Sequence, residues 1–196
     1  MGKSRGDAST WGSRSFRTVS RLTVVACVLL IFVAAWALAG QHTPDSKLER
    51  RFLSNEAGFA ALLAEVSADD RLEGLSADRV RYADRIFSPG DSTEMERLGF
   101  SRERWARYRE EIRKLGIAGV SRADGIVEFR VDQGSLWNGD FYKGYEYSLV
   151  PPAGRRKASL DKYRLSEDDK IRFGGYQVYK PIKGNWYLYL FISGGS

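Results

Sequence analysis

Eighteen consecutive residues, Leu22–Ala39 (LTVVACVLLIFVAAWALA), carry no charge. A helix of that length reaches ~27 Å at ~1.5 Å per residue, close to the ~30 Å hydrocarbon core of a bilayer. A helix bonds every backbone N–H and C=O within itself, which is the condition for entering lipid. Trp36, near the far end, suits the interface. The run is therefore read as a transmembrane helix. A cleaved signal peptide is the competing reading, since Ala37-Leu38-Ala39 before Gly40 has the small-x-small pattern of a cleavage site. The long basic lead and the length of the run favour a retained anchor.

Charge sets the orientation. Residues 1–21 hold Lys3, Arg5, Arg14, Arg17 and Arg21 against Asp7 alone and read as a disordered basic cytoplasmic tail. Positive flanks stay inside, so the C-terminal bulk is exported. The net charge of +6 comes mostly from this tail, and residues 40–196 are nearly balanced. That balance speaks against nucleic acid as a partner and leaves the membrane itself, with its basic inner flank, as one. Residues 40–196 contain no cysteine, so an ordinary apolar core must hold them together without disulfides.

Two periods follow one another along the exported part. Over 40–116 apolar residues recur at helical spacing. Thr43-Pro44 opens an expected helix at about 44–54, and Phe59, Leu62, Leu63 and Val66 form the stripe of a second. Ser76 is read as capping a third, with Val80, Ala83 and Phe87 inward, and a short turn covers 93–98. Ser101 and Gly116 bracket the clearest helix, RERWARYREEIRKL, whose stripe is Trp105, Tyr108, Ile112 and Leu115. Its arginines are read as an ion-paired, solvated face. From residue 117 the period becomes two, with strands expected at 117–121, 126–132, 144–150, 170–180 and 186–192. Gly154–Ser159 (GRRKAS) reads as a basic exposed loop. The expected architecture is α+β: a single N-terminal span, a helical region at 40–116 and an antiparallel β-meander at 117–196 packed against the helices. Residues 40–196 form one domain.

GYEYS followed by PP, then SLDKY, then YKPIKGNWYLYL resemble a pattern of small uncharacterised bacterial envelope proteins, over roughly residues 117–192. The resemblance implies a bacterial envelope location, with the N-terminus cytoplasmic and the domain periplasmic. It implies no activity.

No familiar catalytic constellation is present. The one histidine, His42, lies just past the apolar run and is read as a juxtamembrane residue, so no Ser-His-Asp triad is expected. Cys27 is inside the run, which speaks against a thiol nucleophile and against zinc. Asp161 and Glu167–Asp169 lack the calcium-loop pattern, and no phosphate-loop glycines occur. No cofactor, metal or catalytic residue is assigned. A hydrolase or lyase working through carboxylates alone is the alternative function, needing two of them in one cleft.

The expected function is a binding or assembly module, with another envelope protein or cell-wall glycan as partner. If Val178 pairs near Leu188, one face carries Tyr176, Val178, Trp186, Leu188 and Leu190. The opposite face then carries Gln177, Tyr179, Tyr187 and Tyr189, joined by Glu128, Arg130, Glu146 and Ser148 from earlier strands. Tyr179, Tyr187, Tyr189, Glu128, Arg130 and Glu146 are the candidate contact surface, because tyrosine offers area plus a hydroxyl.

Overall fold

The change of period near residue 117 marks where helices give way to the main body of a sheet. A computed structural model describes residues 42–136, 139–161 and 175–193. The uncharged run, its basic flank, Cys27 and the acids Glu167–Asp169 lie outside these. Among the described residues no helix is long and apolar enough to cross a membrane.

Helix α1 spans Asp45–Ser54 and α2 Glu56–Ser67. Strands β1 (Leu72–Ser76), β2 (Val80–Tyr82) and β3 (Arg85–Phe87) follow. A single 3₁₀ turn leads into α3 (Ser92–Arg97) and then α4 (Arg102–Leu115). The remainder is strand: β4 (Gly119–Ala123), β5 (Ile126–Leu136), β6 (Gly139–Tyr147), β7 (Arg155–Arg156), β8 (Gly175–Lys183) and β9 (Trp186–Ser193). They form one sheet in the order β3-β2-β1-β4-β5-β6-β9-β8-β7. Every pairing is antiparallel except β7 with β8. The α+β class and the antiparallel sheet with helices are as expected; the strand count is larger.

Four strands were not anticipated, β1, β2, β3 and β7, and two of them, β2 and β3, stand where a helix was expected. The Ser76 hydroxyl does accept from an N–H three residues on, Arg79 N at 3.1 Å, but it closes a turn instead of capping a helix. Val80 and Tyr82 are buried about an exposed Arg81, which is strand alternation. Ala83 and Asp84 then take positive φ (52° and 59°), the requirement of a tight two-residue hairpin turn. Val80, Ala83 and Phe87 fit a helical stripe only because a hairpin returns the chain to the same side.

The long helix obeys its signals. Ser101 Oγ accepts from Arg104 N at 3.1 Å, Gly116 ends the helix with φ 64°, and the four stripe residues are buried. Four of its five arginines are ion-paired, partly with other elements: Arg107 reaches Glu65 of α2 at 3.0 Å and Arg104 reaches Asp69 at 2.7 Å, while Arg109 lies over the Trp105 ring at 5.4 Å.

The core lies between the helices and one sheet face. Phe59 is its hub, with ring centroids 5.4 Å from Phe52, 5.7 Å from Phe129, 4.8 Å from Tyr145 and 6.0 Å from Trp186. Trp105, on the expected stripe of its helix, is buried, as are Phe129 and Trp186 from the strands. In the final hairpin Val178 pairs with Leu190, and Leu188 with Lys180. That register is two residues from the expected one. An even slip keeps every side chain on its face, where an odd slip would have inverted the sheet.

Candidate functional site

Cross-strand pairing sorts the outer-face residues into two rows. One runs Arg81, Gly74, Ser121, Glu128, Glu146, Tyr187 across β2, β1, β4, β5, β6 and β9. The next runs Ser76, Gly119, Arg130, Gly144, Tyr189, Tyr179 across β1, β4, β5, β6, β9 and β8. All six candidate residues are therefore on the face opposite the helices, in adjacent rows.

They are not the open surface the alternation suggested. Glu146 and Tyr189 are each only 1 % exposed and Tyr187 is buried, while Glu128, Arg130 and Tyr179 are half-buried. Coiling of the sheet accounts for part of this. Gln177 Nε2 on β8 donates to Glu146 Oε2 on β6 at 3.0 Å, over the intervening β9. Their partners on β9, Phe191 and Tyr187, are four residues apart. In a flat sheet the two backbones would stand roughly 16 Å apart, from ~3.3 Å per residue and ~4.8 Å per strand. Two side chains cannot span that, so the sheet curls toward this face. The irregularity in β5 between Arg130 and Asp132 is the kind of bulge that increases such coiling.

Burial shapes the chemistry of the face. Glu128 and Glu146 are direct cross-strand partners, whose Cβ atoms stand ~5 Å apart in such a pair. Burial, and secondarily the Glu128 charge, pushes the Glu146 carboxyl up to about 7. Burial also raises Glu128, partly offset by the bond from Ser121 Oγ (3.1 Å) and by Arg130. Burial and the Glu128 charge raise the Tyr189 phenol. Tyr179 and Tyr187 meet edge to face at 5.5 Å, and the Arg130 guanidinium lies over the Tyr142 ring at 5.9 Å.

Among the described residues, four buried polar side-chain atoms lack a hydrogen bond: Asp45 Oδ1, Arg130 Nε, Glu146 Oε1 and Tyr189 OH. The first has the Lys143 ammonium 2.7 Å away. The other three belong to this one face. Each such group costs about 1–3 kcal/mol while unmet, and native proteins leave few of them. Beside them, an open cleft of about 710 Å³ runs between the β1–β2 hairpin and β5, with Ser121 and Arg130 in its wall.

A second polar cluster lies on the helix side, and the sequence reading missed it. Lys143 of β6 is fully buried among Phe141 and Tyr145. Its ammonium donates to Thr43 O (2.8 Å) and Asp161 Oδ1 (2.8 Å) and contacts His42 Nδ1 at 3.0 Å. With Asp45 Oδ1 at 2.7 Å, four acceptors crowd its three protons. For His42 to accept there, the ring must be neutral with its proton on Nε2. Burial, then the Lys143 charge, lowers its pKa accordingly. Asp161 is pushed up by burial but held below its usual range by the stronger combined pull of Lys143 and the Asp45 backbone. Its two oxygens accept from Asp45 N at 3.0 and 2.9 Å, capping α1 from a distant loop. Thr43 Oγ1 donates to Asp132 at 2.9 Å instead of capping α1. His42 is thus part of the folded unit, not a linker residue. The legible signal was parity: in FYKGYEY the charge of Lys143 stands at an inward position.

No group of three or more metal-ligating side chains occurs among the described residues. Comparison with protein-family models, curated proteins and solved structures gives no match.

Proposed function

We propose that the chain is a single-pass, membrane-anchored protein of the bacterial envelope whose folded unit, from His42 on, is a binding module. It takes its partner on the sheet face that carries Arg130, Glu146 and Tyr189. The observation that carries this reading is the convergence there of three buried polar atoms with no hydrogen-bond partner among the described residues. A cell-wall glycan suits them, because hydroxyls both donate and accept.

The Glu128–Glu146 pair supplies the two close carboxyls that a carboxylate-only hydrolase would need. Glu146, however, is closed to solvent and Glu128 is bonded by Ser121, so neither is open to a reacting bond, whereas a bound partner can enter through half-buried Arg130 and Tyr179. This favours binding over hydrolysis.

The test uses the full chain in detergent. It should cosediment with purified cell-wall glycan, and a photo-crosslinker at half-buried Tyr179 should join it to that glycan. A crosslinked envelope protein instead would move the partner to the protein class. No cosedimentation and no adduct would sink the module reading. The anchor is tested separately, by a reporter active only outside the cytoplasm fused after Ser196, which should be active.

A further inference from the structure

The cleft beside the face contains one cation, Arg130, that lies over the Tyr142 ring but has no ion-pair partner among the described residues. Among its charged lining groups, Glu73 lies 3.8 Å from Arg81 and Asp78 lies 3.8 Å from Arg79. Arg130 lines the same cleft, yet among the described residues no carboxylate stands within ion-pair distance of it. Its Nε is buried without an acceptor among the described residues.

The space next to Arg130 is built in. Its cross-strand partners on both sides are glycines, Gly119 on β4 and Gly144 on β6. A Cβ at Gly144 would fall 2.1 Å from Phe129 O, and one at Gly119 would fall 2.8 Å from Leu75 O. Side chains are excluded at both positions by close backbone approach, so the row beside the guanidinium stays low. A planar guanidinium whose Nε–H is unmet is the side chain best matched to a carboxylate or another flat oxyanion.

The opposite wall narrows the class of ligand. Glu73 and Asp78 are both acceptors, and each stands beside an arginine that balances its charge, so this wall adds no free cation for a polyanion. The same groups accept hydroxyl donors well. We infer that this cleft binds an acidic sugar, its carboxylate on Arg130 and its hydroxyls toward the Glu73–Asp78 wall. A volume near 710 Å³ lies within the usual range for small-molecule sites. The inference rests on the binding-module reading and names the part of a glycan that the module grips.

The experiment is a saturation-transfer titration of the full chain in detergent with D-glucuronate, D-glucose and inorganic phosphate. The two sugars differ at the acidic carbon alone. Glucuronate should bind saturably, with glucose and phosphate at least about tenfold weaker, a factor worth roughly 1.4 kcal/mol. Arg130→Gln should weaken glucuronate by a similar factor, and Arg130→Lys should restore part of it. The wild-type sugar comparison needs no variant, so it decides even if Arg130→Gln misfolds. Glucose or phosphate binding as well as glucuronate overturns the inference, as does a folded Arg130→Gln chain that binds unchanged. If glycan cosedimentation persists while glucuronate neither binds nor competes, this inference fails and the module reading stands. Loss of both removes the two together.

Discussion

Lys143 Nζ stands 2.7 Å from Asp45 Oδ1 in the interior of the fold, and the two come from a central strand and the first turn of α1. Asp45 also accepts from Leu160 N at 2.7 Å, and Lys143 holds Thr43 and Asp161. One buried ammonium therefore joins the chain entry, the first helix, the sheet and the 159–161 loop. Replacing such a pair by matched apolar residues is often neutral, but removing one partner strands the other charge. Lys143→Met should lower unfolding stability by about 3–5 kcal/mol, read as a lower urea midpoint of the full chain. A loss under about 1 kcal/mol would mean that Asp45 and Asp161 find water when the ammonium is gone.

Glu146 gives stability a distinct pH dependence. Its folded carboxyl titrates at about 7, above the ordinary value of 4.5. Between those values the native state holds a proton that the unfolded state has released, so stability falls as pH rises through this window. The loss is complete above about pH 7 and amounts to a few kcal/mol. Glu146→Gln keeps an acceptor for Gln177 and removes the titration. The variant should match wild type at pH 4.5, be the more stable at pH 8, and show a flatter profile between. Parallel profiles for the two proteins would place the proton elsewhere.

Trp186 shows how far the sequence reached into the core. Its indole is 5.0 Å from Phe52, 5.2 Å from Phe129 and 5.3 Å from Tyr147, centroid to centroid. Trp186→Ala should cost about 3–5 kcal/mol, the range for a buried aromatic. A fully stable variant in chemical denaturation would mean that the inward face of β9 has been assigned wrongly.

The inward placement of Trp105, Phe129 and Trp186 was legible because a period of 3.6 or 2 is a local property. The 76–87 segment was misread for the same reason: spacing alone cannot tell a helical stripe from a hairpin that returns. The candidate face was legible by parity, since Glu128, Arg130, Glu146, Tyr187 and Tyr189 keep their side under any even slip of register. Its burial was not, because coiling depends on the bulge in β5 and on contacts such as Gln177–Glu146 between distant strands. The Lys143 cluster lies furthest from sequence reading. Asp45 and Asp161 are separated by 116 positions, and only the closed fold brings them to one ammonium.

Tyr189 separates a contact role from a core role. Replacing Tyr187 and Tyr189 together by Ser would remove two buried rings, and any lost capture would then follow from unfolding. Tyr189→Phe is the cleaner change, because it deletes only a buried hydroxyl that has no partner among the described residues. Removing an unmet polar group leaves stability unchanged or raises it by up to about 1 kcal/mol. If a bound glycan supplies the missing partner, the same deletion should weaken cosedimentation several-fold while the urea midpoint stays level or rises. Tyr187→Phe is the matched control, since the Tyr187 hydroxyl is not among the unmet groups of the described residues. Equal cosedimentation of wild type, Tyr189→Phe and Tyr187→Phe would show that the phenol faces nothing outside the chain, and the contact would then have to be carried by Arg130 and the cleft alone.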